Sequence, residues 1–175
     1  IHYVGEEEAE IQPPPVTIFI LGMHRSGTSA MAGLLHTAGI HLGDVFIPPL
    51  PQNPKGNFED FLTLQVNEYL LSCIGKSWFQ PPTLEDLAKV PKRYFTLIPQ
   101  TYLHFRSRFR LWAWKDPRHC LTFPLWAEIL PRSTLRLICI CRNPISVARS
   151  LNTRDGLPMD VGLQLWKEYN SRRSE

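Results

Sequence analysis

Hydrophobic positions recur along the chain in two rhythms. "VTIFIL" (16–21), "LWAWK" (111–115) and "LRLICIC" (135–141) are short runs rich in β-branched and aromatic residues. Unbroken apolar runs of this length read as strands buried on both faces. Between them the spacing turns helical. Ser29 to Ala38 predicts a helix with Leu34 and Leu35 on its buried face and Gly39 as its C-terminal cap. Glu59 to Ile74 predicts a second, with Leu62, Val66, Tyr69, Leu70 and Ile74 on one side and Gly75 ending it. Thr83 and Asp86 are spaced as an N-terminal capping pair, opening a helical region that runs to about Phe109 with interruptions at Pro91 and Pro99. A turn and helix over 116–131, a short helix over 143–156 and a last helix from Asp160 to about Arg172 complete the set.

Strands alternating with helices predict a three-layer α/β/α domain around a central parallel sheet. Such sheets bind ligands at the carboxyl ends of their strands. Here those ends are Gly22, Lys115 and Arg142, so one edge gathers a glycine turn, a lysine and an arginine. Residues 1–15 read as a flexible lead-in closed by three prolines. Residues 40–58 form a proline-rich loop long enough to expect a functional role. The longest apolar runs are strand-sized, which predicts no membrane span. The acidic N-terminus "IHYVGEEEAE" shows no signal peptide, so the chain reads as cytoplasmic. A net charge of +3 fits an anion held in one place better than a nucleic-acid surface with its clustered basic stripe. Cys73, Cys120, Cys139 and Cys141 lack metal-ligand spacing and read as buried thiols.

The candidate chemistry lies in "LGMHRSGTSAM", residues 21–31. Gly22, Gly27 and Ser29 match the spacing of the nucleoside-triphosphate loop G-x-x-x-x-G-K-[ST], but Thr28 stands where the lysine belongs and Arg25 precedes the second glycine by two residues. A strand, a glycine turn and a helix N-terminus make an anion site, and Ser26, Thr28 and Ser29 add hydroxyl donors. In a triphosphate site the lysine reaches the β- and γ-phosphates and a hydroxyl holds Mg²⁺. Without that lysine, and without an acidic residue ending an apolar strand, kinase chemistry is disfavoured. A metal-free ligand carrying less charge, such as a sulfuryl group on a single phosphate, fits better.

"GMHRSGTS" resembles the 5′-phosphosulfate loop of sulfotransferases that use 3′-phosphoadenosine 5′-phosphosulfate (PAPS). "CRNPISVARSL" resembles that family's 3′-phosphate motif, an arginine ending a strand and a serine eight residues later, here Arg142 and Ser150. "WKDPR" (114–118) is similar to a Lys-Asp-Pro segment of the tyrosylprotein and related branches, and "NPKGNFE" to a loop of bacterial members. The matches run from about residue 17 to 170. The resemblance implies a P-loop domain over 16–175 that lacks the family's usual C-terminal part. It implies PAPS as donor, no metal, and an acceptor hydroxyl or amine on a sugar, small metabolite, lipid headgroup or peptide. It gives Arg25, Ser26, Gly27, Thr28 and Ser29 to the 5′-phosphosulfate, and Arg142, Ser150 and Arg154 to the 3′-phosphate. It gives Lys115 and Arg25 the part of stabilising developing charge. Glu59 is the candidate general base, with Asp60 and His24 as rivals. Phe58 and Arg118 are candidates for acceptor contact. Asp116 is read as a local ion-pair partner and helix cap, His119 as structural, and Trp78, Trp112, Trp114 and Trp126 as core. A P-loop nucleotide kinase using Arg25 for the lysine, and a nucleotide-binding module without catalysis, are the alternatives.

Overall fold

A computed structural model describes residues 14–49 and 53–171, so residues 1–13 of the predicted lead-in, 50–52 of the predicted loop and the predicted helix end at Arg172 lie outside the described residues. Strands β1 (Val16–Leu21), β2 (Leu111–Lys115) and β3 (Leu135–Cys139) form a parallel sheet in the order β2-β1-β3. Ile20 of β1 lies opposite Lys115 on one side and Ile138 on the other. With the first strand in the middle, the chain must cross from one side of β1 to the other, and the crevice at this reversal opens at the carboxyl end of β1.

Eight helices are described: α1 (Thr28–Thr37), α2 (Phe61–Ser72), α3 (Leu84–Leu87), α4 (Lys92–Phe95), α5 (Leu97–Arg106), α6 (His119–Ile129), α7 (Pro144–Asp155) and α8 (Met159–Ser171). They cover the sheet on two sides, as strand alternation requires. Ile20 and Ala113 pack with Ala32 of α1 and Leu42 in a small core. Phe19, Leu21, Trp112 and Trp114 point the other way into the main core, with Leu70 of α2, Phe105 of α5, Trp126 of α6, Leu151 of α7 and Leu165 of α8. Phe19 meets Trp114 edge-on at 5.3 Å, and Trp114 lies 5.2 Å from Trp126. Such ring pairs add about 0.5–1.5 kcal/mol beyond area burial. They clamp α6 to the strands and fix the turn before it, residues 116–118. Trp112, Trp114 and Trp126 are thus core, as read from the sequence. No helix among the described residues is long and apolar enough to cross a membrane.

Several expectations need correction. Leu34 is 63% exposed; α1 meets the sheet through Thr28 and Ala32, and Gly33 lies under the ring of Phe58. Small residues let α1 approach closely, and only Leu35 of the two leucines joins the small core. In α2, Val66 and Leu70 are buried, whereas Leu62 and Tyr69 face outward. Pro91 does break the helical region, as the N-cap of α4, but Pro99 sits in the first turn of α5. There its missing N–H has no intrahelical acceptor to lose. The thiols of Cys139 and Cys141 are exposed, and of the four only Cys120 is fully buried. Among the described residues β3 lies at the edge of the sheet, and Leu135, Leu137 and Cys139 border an open groove against Phe123 and Pro124 of α6. Apolar character alone does not tell an edge strand from a central one. The capping pair holds: Thr83 and Asp86 each bond the other's backbone N–H.

Candidate active site

The glycine loop is shaped by two left-handed residues. Arg25 has φ 66° and Gly27 φ 100°, and Ser26 N–H bonds back to the Met23 carbonyl at 3.1 Å. Glycine suits such a backbone; for arginine it costs about 1 kcal/mol or more, the kind of local strain that gathers at functional sites. Gly22 is required for space, because a Cβ there would stand 2.6 Å from Thr28 Cγ2 and 3.0 Å from the Ile140 carbonyl. Gly27 caps α1 with no side-chain bond, and no acidic residue occupies the first turn. The side chains of His24 and Ser26 are buried, and neither His24 Nε2 nor Ser26 Oγ has a partner.

The loop meets the second motif directly. Arg25 Nε donates to Ser150 Oγ at 2.8 Å, and Arg142 Nη1 donates to the Arg25 carbonyl at 3.1 Å. Residues 125 and 117 positions apart are brought into contact because α7 starts just after β3. Asn143 caps it by accepting from Ser146 N–H at 3.1 Å, and Pro144 opens its first turn. Trp166 of α8 donates to the Arg142 carbonyl at 2.9 Å, and Gly162 fits against Ala148 where a Cβ would come within 3.0 Å. Arg154 pairs with Asp155 at 2.7 Å, and its guanidinium lies 5.4 Å over the Trp78 ring. Arg25, Arg149, Ser150, Thr153 and Arg154 line an open cavity of about 340 Å³. Burial lowers the Arg25 pKa; the charges of Arg154 and Arg142 lower it further, and Asp155 opposes them. Converging like charges are destabilising until an anion joins them.

A second cluster sits at the end of β2. Alternation turns Lys115 to the Ala113 face, the side on which Phe58 joins the small core. Glu59 follows Phe58 and accepts a hydrogen bond from Lys115 Nζ at 2.5 Å, both groups being nearly buried. The sequence predicted Glu59 as the first residue of a helix. In the fold Glu59 stays outside α2, and Asp60 is the N-cap, accepting from Leu62 and Thr63 N–H at 3.1 Å. Asp60 also accepts from Asp44 N–H at 3.1 Å, and Gly43 packs against it. The rival carboxylate is therefore committed to structure, and Glu59 is left facing the lysine. Burial raises the Glu59 pKa, Lys115 pulls it back and Asp116 adds to the rise; the net direction is upward.

Asp116 and Arg118, in the turn that follows Lys115, form a paired group of their own. Asp116 accepts from Arg118 N–H at 2.9 Å, Arg118 Nη1 at 3.0 Å and Asn67 Nδ2 at 2.9 Å. Burial alone would raise its pKa, but the Arg118 charge and these hydrogen bonds outweigh burial and hold it at about 2. Arg118 also bonds Glu68, so its charge is matched within the protein. Phe58 adopts a left-handed φ of 54°, lies on Gly33 and borders a cavity of about 470 Å³ with Ser29, Asn53 and Lys55. His119 is buried and packed on Phe19 and Trp126; burial pushes its pKa down to about 4. Among the described residues no three His, Cys, Asp or Glu side chains are grouped to hold a metal ion.

A family model described as "Sulfotransferase family" matches residues 15–172, nearly the whole chain. The chain belongs to the sulfotransferase family. Comparison with curated proteins and with solved structures returns no match. In this sulfotransferase the two predicted phosphate motifs lie in contact, and Glu59 and Lys115 are paired. Sequence reasoning missed Asn67, whose Oδ1 accepts from Thr122 at 2.7 Å and Trp126 at 3.0 Å while its amide holds Asp116. It also missed Glu68 and assigned Trp78 to the core, whereas Trp78 is only partly buried and lies between His24 and Arg154. An asparagine on the buried stripe of a helix, one position from Val66, was the available signal for Asn67.

Proposed function

We propose that the protein transfers the sulfuryl group of PAPS to an acceptor hydroxyl or amine. PAPS supplies an electrophilic sulfur bonded through oxygen to a phosphate that leaves as part of 3′-phosphoadenosine 5′-phosphate (PAP). The observation that carries this reading is the contact of Arg25 with Ser150 and Arg142, which joins a 5′ anion loop to a second anion site. Two phosphate-binding sites side by side suit a nucleotide phosphorylated at both 3′ and 5′ positions. The buried, partnerless groups of the glycine loop and the mutual repulsion of the arginines fit an anionic ligand there.

Arg25 and the residues Ser26, Gly27, Thr28 and Ser29 hold the 5′ end, and Arg142, Ser150 and Arg154 hold the 3′-phosphate. The planar fork of arginine suits two oxyanion oxygens at once. Glu59 takes the proton from the acceptor as its oxygen or nitrogen bonds to sulfur. Its raised pKa makes it a stronger base than an exposed glutamate. Lys115 and Arg25 stabilise the negative charge that builds on the leaving oxygen as the sulfur–oxygen bond breaks. Phe58 borders the acceptor, whereas Arg118, engaged by Asp116 and Glu68, holds Asp116 in place instead of binding substrate.

The test is PAP release from PAPS across a panel of sugar, phenol, amine and peptide acceptors, with a chelator present. Chelator-insensitive release with at least one acceptor is expected. Transfer from ATP instead, restored only by Mg²⁺, would identify a kinase.

A further inference from the structure

His24 has no role in the scheme above, yet it occupies the junction of the two clusters. It lies in the glycine loop, is only 8% exposed, and its Nε2 has no hydrogen-bond partner. Two residues on, Ser26 Oγ is likewise buried and partnerless. Buried polar atoms are seldom left unpaired, and two orphans flanking Arg25 in one anion-binding loop point to a ligand that pairs them. The His24 ring is held in place, 4.7 Å from the Trp78 ring and 6.2 Å from Tyr169. Tyr169 is anchored in turn by its hydroxyl on the Trp78 carbonyl at 2.8 Å.

Four charged groups act on the ring at longer range: Arg118 and Asp116 from the turn before α6, Lys115 from β2, and Arg154 from α7. Three are cations. Burial lowers the His24 pKa well below its usual value; Arg118, Arg154 and Lys115 lower it further, and Asp116 opposes them. The imidazole is therefore neutral at physiological pH. A neutral imidazole of this kind is a poor base, but it donates one hydrogen bond without adding a charge to a crowded cationic site.

We propose that His24 is a ligand-contacting residue whose Nε2–H donates to an anionic oxygen at the 5′ end of the bound donor. The inference rests on the PAPS reading. It gives His24 a binding role in place of the general-base role for which it competes with Glu59.

The first test is nitrogen-detected NMR of the imidazole side chains in the full chain, with PAP as the probe. The His24 signal, assigned by its loss in His24→Phe, should report a neutral ring in the free protein. On saturation with PAP its Nε2–H should move downfield and become protected from solvent exchange. The second test is calorimetric PAP affinity. His24→Phe preserves ring packing on Trp78 and should bind at least about tenfold more weakly, as expected for losing a hydrogen bond to a charged group. His24→Gln, which carries an amide N–H at similar reach, should recover part of the loss. PAP binding by the wild type with an unmoved His24 signal, or equal affinity in a folded His24→Phe, overturns this inference alone. No PAP binding by the wild type overturns the donor reading and this inference with it.

Discussion

Replacing Lys115 by methionine isolates the electrostatics of the proposed catalytic pair. The lysine side chain is 2% exposed and that of Glu59 10%, with Nζ and Oε1 2.5 Å apart. Methionine matches the length of the stem and fills its space, so the main loss is the charge partner. A buried carboxylate left alone costs about 3–5 kcal/mol. Against a total stability of about 5–15 kcal/mol, that is about a fifth or more of what holds a domain together. The cost has a definite pH dependence. Burial already raises the Glu59 pKa, with Lys115 opposing; without the lysine it rises further. The native state then binds more protons than the unfolded chain, where glutamate titrates near its ordinary value of about 4.3. Stability must therefore fall as pH rises above that value, by up to about 1.4 kcal/mol per unit, until the folded-state pKa is passed. Urea unfolding of Lys115→Met at about pH 5.5 and about pH 8 reads this directly. The variant should be markedly less stable than wild type at the higher pH and recover part of the difference at the lower. Adding Glu59→Gln should restore stability at the higher pH and flatten the dependence. A single-variant loss below about 1 kcal/mol at both pH values would mean that the pair behaves like a solvated surface contact, and the argument would be wrong.

Further outcomes follow from the same contacts. Arg142→Ala should weaken PAP binding at least tenfold, since a charge-assisted contact is worth about 1.5–3 kcal/mol; calorimetry with unchanged affinity would remove Arg142 from the 3′-phosphate site. Glu59→Gln should keep PAP affinity while turnover falls by a hundredfold or so, the usual scale of a general base, and retained turnover would move that role elsewhere. Asn67→Leu should cost at least about 2 kcal/mol in urea unfolding, because the Thr122 hydroxyl, the Trp126 N–H and the Asp116 carboxylate all lose a buried partner.

Much of this arrangement was legible in the sequence, and the exceptions share a cause. β1 and β2 were read to the residue because continuous apolar runs bounded by glycine, proline or charge leave little freedom. α7 was equally clear, with Asn143, Pro144 and Gly156 punctuating it at both ends. The motif residues Arg25, Ser150 and Arg142 were named separately, and their contact follows from the sheet order that sets β1 beside β3. What local pattern could not supply was which side of an element faces a neighbour. Leu34 is as apolar as Leu35, but small residues decide how α1 meets the sheet. Cys139 lies in an apolar strand and is exposed because β3 lies at the edge of the sheet among the described residues. Glu59 and Asp60 are adjacent carboxylates, and only the turn with Gly43 and Asp44 decides which caps α2 and which meets Lys115. The Asn67 and Glu68 contacts with residues 116–126 span about fifty positions and depend on packing of α2 against α6.

Calorimetric titration of the wild-type protein with PAP and with ATP, in buffer containing a chelator, tests the central claim most directly. The account predicts clear PAP binding, much weaker ATP binding, and a PAP affinity that falls as salt is raised, because arginine charges carry the contact. Preference for ATP, strengthened by Mg²⁺, would contradict it.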